Sequence, residues 1–383
     1  MRTLILSCSI GEGHNSCAKA IKEVYDLNNE YCIIKDVLGF ISDKTAEFFS
    51  KGHTFLYRHI PCIFKYGYSY AEKHPELFYK GTVIYKFFIR AVDKLYEYIN
   101  ENKINSVICT HVFSGLIITA LKDKYSLSLK TCFVATDYTC SPVTRESRLD
   151  LYFVPDEIIA EDYIQAAVPH SKIIASGIPV HQAFYQYYEK DIAKTQLNIP
   201  NCRHLVVMGG SMGCGNIELL VKKLTVYVNK DWYISIICGT NSKLRKKLEK
   251  QYAGVRNIKV YGYVNNIPLV LDSADFMLTK PGGISTTEAA VKKVPMVFVN
   301  AVAGCEKYNS SYFAGMGCAK ASETDKNTIY ACLSVMEDTM ILKHMKLQYS
   351  KFQRRNSAYI IFENMISNSD TIRNLSRDFK ADI

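Results

Sequence analysis

Residues 275–290 read Asp-Phe-Met-Leu-Thr-Lys-Pro-Gly-Gly-Ile-Ser-Thr-Thr-Glu-Ala-Ala, 294–300 Val-Pro-Met-Val-Phe-Val-Asn and 303–309 Ala-Gly-Cys-Glu-Lys-Tyr-Asn. The pattern predicts strand, tight turn, helix, strand and loop. Phe276 to Leu278 is short and apolar enough for a buried parallel strand, and Pro281-Gly282-Gly283 permits a sharp turn with close backbone approach. A helix starting near Ile284 would present the hydroxyls of Ser285, Thr286 and Thr287, and its free backbone N–H groups, beyond the strand end. That is an anion site suited to a diphosphate. One turn further in, Glu288 has two readings: it favours the positive helix end, worth ~0.3–1 kcal/mol, or it accepts both hydroxyls of a ribose beside the phosphates.

The same plan recurs upstream. His204 to Met208 reads as a strand, Gly209-Gly210-Ser211-Met212-Gly213-Cys214-Gly215 as a turn, and Ile217, Leu220, Val221 and Leu224 fall at helical spacing. Two such turns in one domain would approach one diphosphate from two sides. Tyr233 to Cys238, Ile258 to Tyr261 and Met296 to Val299 are further strands, and Ile329, Leu333 and Met336 are spaced as in a helix.

The first half opens with Thr3-Leu4-Ile5-Leu6-Ser7-Cys8 as a buried strand, Gly11-Glu12-Gly13-His14 as the loop after it, and Asn15 and Ser16 as helix-start residues. The loop lacks the third glycine of a dinucleotide fingerprint, since Ser16 stands there, and no Gly-Lys-Ser/Thr follows to make a Walker loop. Strands at Ser106 to His111 and Thr131 to Asp137 also run into polar residues. In an open parallel sheet such residues line the ligand crevice, so His111 and Asp137 join His14 as candidates, although a lone strand-end Asp is also a common cap or turn former. Leu151 to Pro155 and Lys172 to Val180 complete this half, with Glu157 to Ala167 helical between them. The expected fold class is α/β, two Rossmann-like doubly wound domains facing a cleft. Their bounds are 1–185 and 200–350, with a hinge near Tyr185 to Arg203 and a last segment over 351–383.

At 383 residues, with 48% hydrophobic and 22% charged side chains, the chain is globular and, at the usual ~100–200 residues per domain, has room for two. Thirteen cysteines with no Cys-x-x-Cys pair, and no secretory leader, are expected to be reduced thiols of a cytosolic protein. The longest apolar run, Val107 to Leu121, is broken by Thr110, His111 and Ser114 and falls short of the ~20 residues a bilayer needs. A net charge of +10 suits nucleic acid, an anionic membrane surface or an anionic substrate. Its distribution narrows the choice. Between Lys44 and Lys94, rings such as Phe48, Phe49, Phe55, Tyr57, Phe64, Tyr66, Tyr70 and Phe87 are mixed with Lys51, Arg58, Lys65, Lys73, Lys80, Lys86 and Arg90. That mixture suits a membrane interface, at about 1 kcal/mol per cation, while packing of the rings in the core is the plainer alternative. No recognisable RNA or DNA motif accompanies it, so no nucleic-acid partner is expected.

Lys280 to Ala289, Pro295 to Asn300 and Gly304 to Asn309, together with Gly11-Glu12-Gly13-His14, resemble the monogalactosyldiacylglycerol synthase and processive diacylglycerol glucosyltransferase family, part of glycosyltransferase family 28. The likeness runs over nearly the full chain and is more distant to the UDP-N-acetylglucosamine transferase that makes lipid II. Thr110-His111-Val112-Phe113 stands where the family often has Thr-His-Pro-Phe. The resemblance implies the glycosyltransferase B architecture, with a final helix, roughly Gln353 to Leu375, crossing back onto the first domain. It implies a UDP-hexose donor, a diacylglycerol acceptor and an inverting transfer, by a cytoplasmic protein peripheral on the inner face of the cell membrane.

The site residues follow from that likeness. Gly210, Ser211, Gly213, Lys280, Gly282, Gly283, Ser285 and Thr286 would surround the diphosphate, and Val264 would lie against the base. Glu288 would hold the ribose, Glu306 and Asn309 the hexose, and Gly13 and His111 would lie on the acceptor side. Glu306 has the alternative of a solvated loop carboxylate. For proton removal His14 is preferred, its ordinary pKa near 6.5 suiting neutral pH, with Asp137 second or orienting the histidine. With no Asp-x-Asp motif, no metal or other cofactor is expected, and the diphosphate charge falls to helix N-termini and loop amides. Rival readings are an N-acetylglucosamine transferase with another lipid acceptor, a UDP-N-acetylglucosamine 2-epimerase-like enzyme, which would not need the aromatic–basic stretch, and a nucleotide-sugar sensor, against which His14 argues.

Overall fold

The computed structural model describes residues 1–8, 11–42, 44, 45, 47, 52, 66, 69–210, 217–227, 231–299, 304–352 and 355–367. They form two compact units, the first drawn from Met1–Ile60, Tyr66–Gln182 and Arg355–Ile383, the second from Ala183–Arg354.

In the first unit six parallel strands, β1 (Arg2–Ser7), β2 (Tyr31–Asp36), β3 (Ser106–Cys109), β4 (Lys130–Val134), β5 (Leu151–Val154) and β6 (Ile173–Ala175), lie in the order β2-β1-β3-β4-β5-β6. Leu4, Ile5, Leu6, Val107 and Ile108 are fully buried, as the near-continuous apolar strands of a sheet covered on both faces require. The helix Ser357–Ile366 belongs to this unit: Phe362 meets Tyr25 edge-on at 4.9 Å, and Lys130 Nζ donates to the Asn364 carbonyl at 2.6 Å. The rest of the expected final helix, at residues 353, 354 and 368–375, lies outside the described residues.

The helix after β1 starts earlier than expected. It runs Glu12–Leu27, with Gly11 at φ +98° as the residue before it, so Gly13 and His14 sit in its first turn and not in a loop. A positive φ open to glycine completes the turn at Gly11, and Glu12 favours the positive helix end. Asn15 is not a cap; its Oδ1 accepts the Ser7 hydroxyl at 2.6 Å.

The second unit repeats the layer plan with β7 (Arg203–Met208), β8 (Trp232–Ile237), β9 (Ile258–Tyr261), β10 (Phe276–Thr279), β11 (Met296–Phe298) and β12 (Ala319–Lys320), in the order β12-β11-β10-β7-β8-β9. Its core holds Leu205, Val207, Trp232, Ile234, Phe276 and Leu278, with Trp232 edge-on to Phe276 at 5.5 Å. The segment expected as a hinge contains regular structure. It contains the helix Lys190–Gln196 and is held to this unit by the Lys292–Asp272 pair, 2.7 Å apart and fully buried. Lys292 also donates to the Gln186 carbonyl, and Asp272 Oδ2 accepts the Tyr188 N–H at 3.3 Å. Breaking a buried pair with such extra bonds is costly, so residues 186 and 188 are held to the second unit.

In each sheet the chain starts at an inner strand and the later strands depart in opposite directions. The reversal falls between β1 and β3 in the first unit and between β7 and β10 in the second. Ligands of open α/β sheets bind outside the strand carboxyl ends at such points.

Candidate functional site

The second unit's two glycine turns meet because β7 and β10 are neighbours. Gly210 takes φ +71°, and a Cβ there would lie 2.8 Å from Lys280 Cε, so the Lys280 side chain runs across the Gly210 backbone. Lys280 Nζ donates to Glu306 Oε1 at 3.1 Å, the two side chains being 18% and 7% exposed. Glu306 lies in the first turn of the helix Cys305–Gly315, so the solvated-loop alternative is excluded.

After β10, the helix Gly283–Val291 begins with no side-chain cap at Gly282. Among the described residues the N–H groups of Gly283, Ile284 and Ser285 have no protein acceptor, while that of Thr286 donates to the Gly282 carbonyl at 3.1 Å. Thr286 must be corrected as an anion contact. It is buried, and its hydroxyl donates to the carbonyls of Gly282 and Gly283 at 2.9 and 3.0 Å, as Thr287 Oγ1 does to Gly283 at 2.7 Å. Helical threonines satisfy their hydroxyls on the preceding turn when they face the core. Ser285 remains partly exposed and donates weakly to Gly282 at 3.3 Å. Asn309 is corrected too: it is 0% exposed and its amide donates to the Pro281 carbonyl at 3.0 Å, so it supports the turn from behind.

The Glu288 carboxyl has no hydrogen-bond or ion-pair partner among the described residues. Its side chain keeps some surface toward water, yet burial alone raises its pKa to about 8. A carboxyl in that condition gains from donors supplied by a ligand, as a ribose diol would supply them. Val264 is half-buried in the loop between β9 and the helix Ile267–Ser273. Arg245 was not anticipated beside Gly262, two residues earlier. A Cβ on Gly262 would lie 2.9 Å from its Nη1, although Lys-Leu-Arg-Lys-Lys reads as a solvated helix face. Ser211 and Gly213 lie outside the described residues.

In the first unit, β1 and β3 place His14 against the end of β3. His14 Nδ1 is 2.7 Å from the Thr110 carbonyl, which can only accept, so Nδ1 carries the hydrogen and the lone pair is on Nε2. Thr136, which the sequence did not single out, has its Oγ1 3.1 Å from the same Nδ1 and donates to Asp137 Oδ2 at 3.4 Å. It therefore links Asp137 to the imidazole. Burial lowers the His14 pKa from 6.5, against the field of Asp137 and the Thr110 bond, which favour the charged ring. The ring is neutral near pH 7, as a base must be.

His111 meets His14 edge-on at 4.5 Å. It caps the helix Val112–Tyr125, accepting the Phe113 N–H on Nδ1 at 3.1 Å, which puts the hydrogen of its neutral ring on Nε2. Beside it, Phe113 stacks on Phe88 at 4.1 Å and approaches Phe78 at 5.9 Å. Gly13, expected on the acceptor side, is a half-buried residue of the first helical turn.

The aromatic–basic stretch divides between its two readings. Tyr85 and Phe88 are core, whereas Tyr66, Tyr70 and Val83 are 77%, 58% and 83% exposed, with Lys73, Lys80, Lys86 and Arg90 also at the surface. Phe48, Phe49, Phe55, Tyr57 and Phe64 lie outside the described residues. Among the described residues no helix is long and apolar enough to cross a membrane, and no three His, Cys, Asp or Glu side chains converge as metal ligands.

Comparison with known proteins gives two domain matches: residues 14–180 to monogalactosyldiacylglycerol (MGDG) synthase and residues 204–359 to the glycosyltransferase family 28 C-terminal domain. A processive diacylglycerol beta-glucosyltransferase of Bacillus cereus (strain B4264) is 26% identical over 357 residues, covering 90% of this chain and 88% of that one. One of Bacillus licheniformis is 24% identical over 389 residues, covering 99% and 98%. Among solved structures, MurG of Acinetobacter baumannii superposes with a TM-score of 0.60 at 12% identity, over 95% of this chain and 98% of that one. The UDP-GlcNAc 2-epimerase of Neisseria meningitidis bound to UDP-GlcNAc gives 0.60 at 13%, over 96% and 100%.

Proposed function

The first unit belongs to the monogalactosyldiacylglycerol synthase family and the second to the family 28 C-terminal domains, in a glycosyltransferase B fold, and on that premise we propose that this glycosyltransferase moves a hexose from a UDP-sugar to the free hydroxyl of diacylglycerol. The observation that carries the reading is the His14 imidazole, neutral through burial and with its tautomer set by the Thr110 carbonyl, so that Nε2 is the basic atom. Nε2 takes the proton of the acceptor hydroxyl as its oxygen bonds to the anomeric carbon, the bond from that carbon to UDP breaks, and inversion leaves a β-linked glycolipid. Asp137, through Thr136, favours the imidazolium formed.

Departure of UDP develops charge on the diphosphate. The free N–H groups of Gly283, Ile284 and Ser285 and the Lys280 ammonium are donors of the right sign for it, without a bound metal. Glu288 accepts the ribose hydroxyls, Val264 lies against the uracil, and Glu306 holds Lys280 in place at the sugar end. His111 lies on the acceptor side, with the Phe78, Phe88 and Phe113 rings next to it for apolar chains. Val83, Lys86 and Arg90 are exposed apolar and cationic side chains suited to an anionic membrane surface, and the protein acts peripherally on the inner face of the cell membrane.

The test is incubation with diacylglycerol in anionic vesicles and, separately, UDP-glucose, UDP-galactose and UDP-N-acetylglucosamine, with UDP release and glycolipid followed by mass spectrometry. A hexosyl-diacylglycerol from one UDP-hexose is the expected result. An altered free UDP-sugar with no lipid product, or no turnover with any donor, overturns the proposal.

A further inference from the structure

The helix Ile217–Leu224 is apolar on both sides. Inward, Ile217, Leu220, Val221 and Leu224 join Val207, Ile236 and Leu248 in the core on one side of the second sheet. Outward, Leu219, Lys222, Lys223, Val226 and Tyr227 recur at i, i+3, i+4, i+7 and i+8. The Thr225 and Tyr227 N–H groups donate to the Val221 and Leu224 carbonyls, which carries the helical turn past Leu224. Leu219, Val226 and Tyr227 are 36%, 78% and 63% exposed. The negative helix end accounts for two lysines in the last turn, but not for three apolar side chains set among them.

The face continues onto the next helix, Ser242–Gln251, where Lys243, Lys246, Lys247 and Lys250 are exposed at i, i+3, i+4 and i+7. Lys247 Nζ lies 2.8 Å from Glu218 Oε1, which ties the two helices together. Over residues 217–227 and 231–252, seven cationic side chains stand against three acidic ones. Glu218 is taken by Lys247, and Glu249 by Arg245 at 2.7 Å, on the flank that covers Gly262. Asp231 is exposed at the residue before β8. The helix Asp325–Glu337, packed against Ile217–Leu224, adds Asp325 and Glu337 at its two ends and Lys326, so an excess of three cations remains. Among the described residues Lys222, Lys223, Lys243, Lys246 and Lys250 have no carboxylate partner.

We propose that this face docks the second unit on an anionic lipid bilayer, through a contact of its own, separate from Val83, Lys86 and Arg90 of the first unit. Apolar side chains with cations between them match the boundary between headgroups and acyl chains. Leu219, Val226 and the Tyr227 ring enter it, while the lysine stems lie along it with their ammonium groups at the lipid phosphates. A soluble polyanion would match the lysines and leave the apolar side chains in water. The choice of a bilayer over another apolar partner rests on the proposed reading that the acceptor is a membrane lipid. The donor-binding unit is then held at the surface where its co-substrate resides.

The full chain is sedimented with vesicles of equal parts phosphatidylcholine and phosphatidylglycerol, with no diacylglycerol or donor present, so that binding is read apart from turnover. Lys222→Gln with Lys223→Gln, a change that keeps helix propensity, is expected to lower vesicle partition about 10–30-fold. Val226→Ser with Tyr227→Ser is expected to lower it about tenfold. Lys103→Glu, which removes the same two units of net charge at an exposed residue of the first unit, is expected to bind like wild type. Equal binding by wild type and the lysine pair variant, or an equal loss in Lys103→Glu, overturns the proposal. Full binding by the Val226 and Tyr227 variant also overturns it and leaves a face for a soluble polyanion. A dimer in sedimentation velocity that the same variant dissolves overturns it in favour of a second copy of the chain. With detergent-dispersed diacylglycerol both variants are expected to turn over like wild type; absence of glycolipid from wild type would sink the proposed reaction and leave the vesicle result standing.

Discussion

The two strand-reversal points are the same device furnished differently. Between β1 and β3 the polar residues beyond the strand ends are His14, Thr110 and His111, groups that hold and move a proton. Between β7 and β10 they are Gly210, Lys280 and the uncapped start of Gly283–Val291, a cation and backbone N–H groups that suit an anion. A parallel α/β sheet supplies a place for a ligand in either case. The side chains at that place decide whether it suits chemistry or binding, and the proposed reaction puts catalysis in the first unit and donor binding in the second.

The sharpest way to break that division is His14→Ala. Loss of the base is expected to lower kcat by about 10²–10⁴-fold with UDP affinity, measured by calorimetry, unchanged. A parallel loss of UDP binding would sink the separation of roles. Next in size is Lys280→Ala, which removes the ion pair of the buried Glu306 carboxylate and is expected to cost about 1.5–3 kcal/mol in denaturant unfolding, besides weakening UDP binding. Lys280→Met combined with Glu306→Gln is expected to recover most of the stability and none of the affinity; recovery of both would make the lysine a structural residue only.

Glu288 sharpens the comparison through pH. Its folded-state pKa of about 8 lies above the ordinary 4.5, so between those values the folded protein holds a proton that the unfolded chain has lost. Stability from this group is therefore full below pH 4.5 and is lost as pH rises toward 8. Glu288→Gln should melt a few degrees above wild type at pH 8.5, with the gap closing near pH 5. A gap independent of pH would refute the raised pKa. The smallest effect is expected from Thr136→Val, where a lost bond worth about 1 kcal/mol lowers kcat/KM several-fold. Because Asp137 raises the His14 pKa, Asp137→Asn should move the acid limb of the pH–rate profile to lower pH; movement to higher pH would reverse its assigned role.

Much was legible locally. Ten of the twelve strands announced themselves as short apolar runs, whereas β2, at a sheet edge with Tyr31 and Lys35 exposed, and the two-residue β12 lacked a distinctive pattern. The helix start at Glu12 was missed because Asn15 and Ser16 are stronger capping types than Gly11, and their preference gave way to the turn that follows β1. Thr286 was misjudged because a hydroxyl in a first helical turn can face outward or back to a carbonyl, and only burial chooses.

By itself the order of residues settled the alternation of strand, glycine turn and helix, and the chemical kinds present at each turn, because both are written in side chains a few positions apart. Tertiary structure decided which turns meet and in what state. The His14 tautomer depends on a carbonyl 96 residues away, the Glu306 ion pair on a lysine 26 residues away and the Glu288 pKa on burial. Electrostatics and desolvation act through space, so contacts between distant segments leave no periodicity in the sequence from which to read them.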